Sequence, residues 1–157
     1  MKIVKYLVLI LTLSTSVLIS SAQEKPVITK VPKFKPPVVK TFLGENQNGP
    51  SVTQEEASRL IALPLQIKDV KNNLYAVNSY QFLYRQKGFR QDEETGKNEI
   101  VFTIKSDRFK VTPLPDIWVN SLKNTFQPGE ELYFFDIVVK DKEGRLFFAP
   151  ELKIAIK

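Results

Sequence analysis

The chain has no cysteine and no histidine among its 157 residues. Those two absences remove disulfides, zinc sites built on Cys or His, cysteine nucleophiles and every Ser-His-Asp arrangement. Phosphate-cradling glycine loops are missing too, as are Walker sequences, nucleophile elbows and carboxylate pairs at catalytic spacing. Charge of one sign is in only mild excess, with 23 basic against 17 acidic residues. A net +6 of that kind supports weak attraction to anionic surfaces and little more. What is present is ordinary core material: 43% of the residues are hydrophobic and 11% aromatic, enough for one domain to bury a core.

Residues 1–22 read as a secretory signal peptide. Lys2 and Lys5 precede an apolar run from Tyr6 to Ile19, and Ser20-Ser21-Ala22 supplies small residues that suit cleavage after Ala22. The run is diluted by Thr12, Ser14, Thr15 and Ser16 and is shorter than the roughly 20 apolar residues of a membrane span, which argues against an uncleaved anchor. With no cysteine to follow it, thioether lipidation is excluded. The mature chain is expected in the periplasm or outside the cell, with no transmembrane helix after cleavage. Loss of Lys2 and Lys5 leaves 21 basic against 17 acidic residues, a net of +4. Residues 23–40 hold Pro26, Pro32, Pro36 and Pro37 among Lys25, Lys30, Lys33, Lys35 and Lys40, and read as an extended segment. It serves either as a solvated spacer or as a basic arm for an anionic partner, with Lys33 and Lys35 as candidate contacts.

A domain over residues 41–157 follows. Residues 42–50 are loop by their Gly and Asn content, and Thr53 with Glu56 fits a capping box opening a short helix through Ala57, Leu60 and Ile61. Leu63, Leu65 and Ile67 alternate as a strand, and Lys71-Asn72-Asn73 is a turn into a longer one. There Tyr80, Phe82 and Tyr84 share the core face. A polar run at 88–98 predicts a long hairpin whose return strand points Ile100, Phe102 and Ile104 inward. Asp92, Glu93 and Glu94 form the tight acidic cluster at its tip. Without the spacing of a calcium loop they read as a solvated turn.

After Pro113 and Pro115, Asp116 is expected to cap a second short helix that buries Trp118 beside Leu122. The chain then closes with three strands. Pro128-Gly129 turns into the run 132–139, interrupted by Asp136 and otherwise apolar on both faces, as in a strand buried on both sides. A polar loop at 141–144 leads to a short strand at 145–149. Leu152, Ile154 and Ile156 then alternate with Glu151, Lys153, Ala155 and Lys157. These patterns predict a mainly β, Ig-like antiparallel sandwich of about seven strands with two short helices.

The order of these pieces resembles one family. Asp107-Arg108-Phe109, then the helical link, then Gln127-Pro128-Gly129-Glu130-Glu131-Leu132-Tyr133-Phe134 and Asp136-Ile137 are similar to the C-terminal periplasmic domain of the GldM/PorM family, over residues 37–157. Members of that family carry a membrane helix and further periplasmic domains, and form the periplasmic shaft of the type IX secretion and gliding machinery of Bacteroidetes. By that resemblance the chain is expected to be a stand-alone, exported form of the tip domain, without those parts. The resemblance implies a non-catalytic protein-binding or assembly module working with envelope proteins, without cofactor or metal. Candidate contacts on the terminal strands are Arg145, Phe147, Phe148 and Lys153, since one of the two phenylalanines should have no place in the core. The alternative is a secreted glycan- or ligand-binding or adhesion module using Tyr75, Tyr80 and Tyr84. An enzyme working through Asp92, Glu93, Asp107 or Asp136 is disfavoured for want of a cleft. Nucleic-acid binding is disfavoured by export and the modest charge.

Overall fold

Apolar side chains at every second position from Tyr80 to Tyr84 demand a strand with one face in the core. A computed structural model describes residues 33–46 and 51–157, and that run lies in the longest of its seven strands. The leader, the arm as far as residue 32 and loop residues 47–50 lie outside the described residues. The strands are β1 (Val39–Leu43), β2 (Leu65–Asp69), β3 (Leu74–Gln91), β4 (Asn98–Phe109), β5 (Glu131–Lys140), β6 (Leu146–Phe148) and β7 (Leu152–Ala155). Helix α1 (Gln54–Leu60) falls between β1 and β2, and α2 (Asp116–Leu122) between β4 and β5. The strand number and both helix positions are those expected from the sequence. β1 begins at Val39, so Phe42 and Leu43 belong to an edge strand and not to the loop assigned them.

Every pairing between strands is antiparallel, and the sheet curls nearly into a barrel. The long strands β3 and β5 form its central ribbon. The path β1-β2-β3-β5-β6 runs across one part of that ribbon, while β4 joins β3 and β7 joins β5 at the other. Register shifts between Val77 and Ser79, and again between Ser79 and Gln81, mark where the ribbon bends. Bulges of this kind increase twist and bend the strand, which lets one sheet wrap its own core.

Asp136 sits at that bend. Its φ is +47°, a left-handed conformation that Asp tolerates better than the bulky residues around it. The extra residue shifts the alternation by one: Leu132 and Phe134 are buried before it, Ile137 and Val139 after it. The other face, with Tyr133, Phe135 and Val138, is only partly covered. β5 therefore has one core face, not the two that its apolar run suggests. The Asp136 carboxylate accepts from Gln81 Nε2 at 2.6 Å and lies 3.6 Å from Arg108, exposed to solvent.

The core is aromatic. Phe82 and Phe134 rings are 4.9 Å apart, Tyr80 lies 5.9 Å from Phe134, and Trp118 stands edge-on to Phe82 and Phe109. Helix α1 starts as read, with Thr53 Oγ1 accepting from the Glu56 N–H at 3.2 Å, and Ala57, Leu60 and Ile61 are buried. Glu56 does not reach back to Thr53; its carboxylate accepts from Asn46. In α2 the N-cap is Pro115, and Asp116 occupies the first turn without capping it. Val119 and Leu122 carry the burial of this helix, and Trp118 is half-buried rather than enclosed.

Three hairpin turns are each tied by one aspartate. Asp69 accepts from the backbone of Lys71 and Asn73, Asp92 from Glu94 and Thr95, and Asp141 from Glu143 and Arg145. The Asn73 side chain lowers the pKa of Asp69, and the Thr95 hydroxyl that of Asp92. For Asp141, partial desolvation pushes upward but is outweighed by the bonds from Arg145, so its pKa is also lowered. A lowered folded-state value contributes stability that is complete above the ordinary carboxylate pKa and is lost as pH falls through the folded one. The thermal midpoint should therefore be flat from neutral pH to about 5 and fall below about 4. The triple variant Asp69→Asn, Asp92→Asn, Asp141→Asn should flatten that acid limb, and an equally steep limb in the variant would contradict the assignment.

Candidate protein-binding surface

Because Tyr80, Phe82 and Tyr84 face the core, the odd-numbered residues Gln81, Leu83, Arg85, Lys87 and Phe89 must face away. The β3–β4 register sets Phe89 opposite Ile100, Lys87 opposite Phe102 and Arg85 opposite Ile104. Ile100, Phe102 and Ile104 thus point outward and are 57%, 42% and 61% exposed, with Phe89 at 63%. This reverses the inward orientation expected of them. The phase of β4 is set at its other end, where Phe109 opposes Tyr80 and is buried, leaving the even-numbered positions on the opposite face. Beyond Arg85 the hairpin runs past the end of β5, and Thr103 on its core side is exposed; Lys105, opposite Tyr84 on the edge strand, is exposed as well.

Charges on the outer face are packed against rings and against one another. The Arg85 guanidinium lies 3.6 Å from the centre of the Phe102 ring and 3.5 Å from Glu131, which Lys153 also approaches at 3.1 Å. Tyr133 and Phe135 stack at 4.9 Å, and the Tyr133 hydroxyl donates to Glu151. The result is an apolar stripe on β4 and β3 beside a neutralised polar border, the composition of a protein contact surface with a polar rim.

The candidates named from sequence are distributed as follows. Arg145 is held in the β5–β6 turn by Asp141 at 2.7 Å and Glu143 at 2.9 Å. Phe147 is buried, edge-on to Tyr75, whereas Phe148 is 73% exposed and is the outward member of the pair. Lys153 joins the outer face through Glu131. Lys33 and Lys35 are exposed ahead of β1. Among the tyrosines assigned to ligand contact, Tyr80 and Tyr84 are buried and belong to the core. The Tyr80 hydroxyl donates to the Val111 carbonyl, and burial pushes both phenols up from their ordinary range. Tyr75 is engaged with Asp69. Asp92 serves its own turn, Asp107 accepts from the Arg108 N–H, and Asp136 serves the bulge. Among the described residues no group of three or more acidic side chains could hold a metal ion, and no helix is long and apolar enough to cross a membrane.

Glu130 was not singled out by its sequence position. It is fully buried, and its carboxylate accepts from the Tyr84 hydroxyl, the Gln127 N–H at 2.8 Å and the Lys87 N–H at 2.9 Å. It binds the Pro128-Gly129 turn to the middle of β3, with Gly129 at φ +90° making the turn. An acid directly after a Pro-Gly turn and before a continuous apolar run is the signal that could have marked it.

No family model, curated protein or solved structure matches the chain.

Proposed function

We propose that the chain is a non-catalytic, exported protein-binding or assembly module that works at the cell envelope with gliding-motility or type IX secretion components. The observation that carries the binding reading is the uncovered outer face of the β3–β4 hairpin, where four large apolar side chains stand exposed on two paired strands. Contiguous exposure of that kind is characteristic of interaction sites. The envelope setting follows from the signal-like leader and from the resemblance of residues 37–157 to the GldM/PorM tip domain. Residence is periplasmic or extracellular, after removal of residues 1–22.

In-cell crosslinking followed by mass spectrometry tests this directly. The variant Phe102→Glu, Ile104→Glu should reduce recovery of envelope partners at least about tenfold, the loss expected when two apolar anchors are removed from an interface. Both positions are exposed, so the thermal midpoint should stay close to that of the unaltered chain. Phe148→Glu probes the β6 edge in the same assay. Undiminished recovery of secretion or gliding components with both variants would rule out these faces. Recovery of no envelope protein at all would overturn the proposal.

A further inference from the structure

The open edge of β4 carries a pattern of its own. Among the described residues β4 pairs on one side only, with β3, in an unbroken twelve-pair register. The turn sets the phase of its hydrogen bonds: the Asp92 N–H donates to the Lys97 carbonyl at 2.9 Å. From there the odd-numbered residues of β4 bond to β3, and the even-numbered ones direct N–H and C=O to the open edge. Ile100, Phe102 and Ile104 are among the latter. The strand has neither proline nor bulge, two of the devices that blunt an exposed edge, and its charged residues Glu99, Lys105, Asp107 and Arg108 are ones that a pairing strand must match.

We propose that this edge pairs antiparallel with the same edge of a second copy of the chain, about a twofold axis at Phe102. The inference rests on the outer face being a binding surface and sets a second copy alongside it, so that the apolar stripes of two copies form one continuous face for the envelope partner. With Phe102 opposite Phe102, Ile100 meets the partner's Ile104 on the outer face. On the reverse face Glu99 meets the partner's Lys105, and symmetry repeats both contacts. Outward-directed backbone groups then oppose outward-directed ones, as an antiparallel ladder requires. A shift that moves each residue two places along the partner strand sets Glu99 against the partner's Asp107 in one direction and Lys97 against the partner's Lys105 in the other. A shift of one place opposes backbone groups that cannot bond and exchanges the faces. Charge complementarity thus selects a single register. The pairing is isologous and closes on itself, so it covers both open edges without building a fibre.

The test uses the chain as its own cells produce and process it. Sedimentation analysis should show a dimer. Glu99→Lys should weaken it roughly tenfold, as should Lys105→Glu, because each places like charges opposite one another twice. Combining the two substitutions should restore the affinity. In this cysteine-free chain Phe102→Cys should give a disulfide-linked dimer on oxidation, since directly paired residues lie about 5.5 Å apart at Cα, within disulfide reach. Ile100→Cys should not, because its two copies are offset by four residues, about 13 Å. A monomer at every concentration overturns the inference; if the outer-face variant still loses envelope partners, the wider reading survives it, and if no partner is bound there, both fail. A dimer showing neither the Phe102→Cys link nor recovery on charge exchange pairs elsewhere and also overturns it.

Discussion

Replacing Glu130 with alanine is expected to lower the free energy of unfolding by about 3–5 kcal/mol. The side chain is fully enclosed, and its two oxygens accept from three donors on separate parts of the chain: the Tyr84 hydroxyl, the Lys87 N–H and the Gln127 N–H. Alanine leaves the enclosed Tyr84 hydroxyl and the two part-buried N–H groups of Lys87 and Gln127 without this acceptor, and an abandoned buried donor costs about 1–3 kcal/mol. Against a total stability of about 5–15 kcal/mol for a domain of this size the loss is a large fraction. Glu130→Gln keeps the volume and one acceptor oxygen but presents an NH2 where a donor already points, so a smaller loss of about 1–3 kcal/mol is expected. Tyr84→Phe removes a single donor and should cost less than the alanine variant. Urea denaturation of the four proteins gives this ranking. An alanine variant within about 1 kcal/mol of the unaltered chain would show that the carboxylate does not hold the turn to β3.

The two adjacent phenylalanines of β5 should behave very differently. Phe134→Ala is expected to cost about 3–5 kcal/mol, because the ring is buried against Phe82 and Tyr80 and its removal opens a cavity the neighbours only partly fill. Phe135→Ala removes a ring stacked on Tyr133 on the partly exposed outer face and should cost about 1 kcal/mol or less. Similar midpoint shifts for the two would mean that β5 is covered on both faces, as its apolar run suggests. The contrast therefore tests the phase set by Asp136. If Phe134 alone is costly, the alternation on the N-terminal side of the bulge is as described.

Much of this was legible in the residues themselves. Mainly β character, seven strands, two short helices, the Thr53 cap and the core positions of Tyr80, Phe82, Tyr84, Leu152, Ile154 and Ile156 follow from periodicity and capping chemistry, which act over a few neighbouring residues. The outward place of one of Phe147 and Phe148 was legible for the same reason, since adjacent strand residues face opposite sides.

Long-range register decided the rest. Alternation at Ile100, Phe102 and Ile104 announces a strand with one apolar face, but whether that face meets the core depends on which β4 residue lies opposite Tyr80, a contact formed 29 positions away, at Phe109. The apolar residues on both sides of β5 likewise could not reveal that a left-handed residue at 136 shifts the phase and leaves the outer side half-covered. Glu130 reads as a surface acid until the fold encloses it and brings three donors to its oxygens. Composition and local pattern determined that the chain forms a sheet, because strand alternation and helix capping are local properties. Only tertiary pairing decided which apolar residues the sheet leaves outside, because burial is a property of what lies opposite.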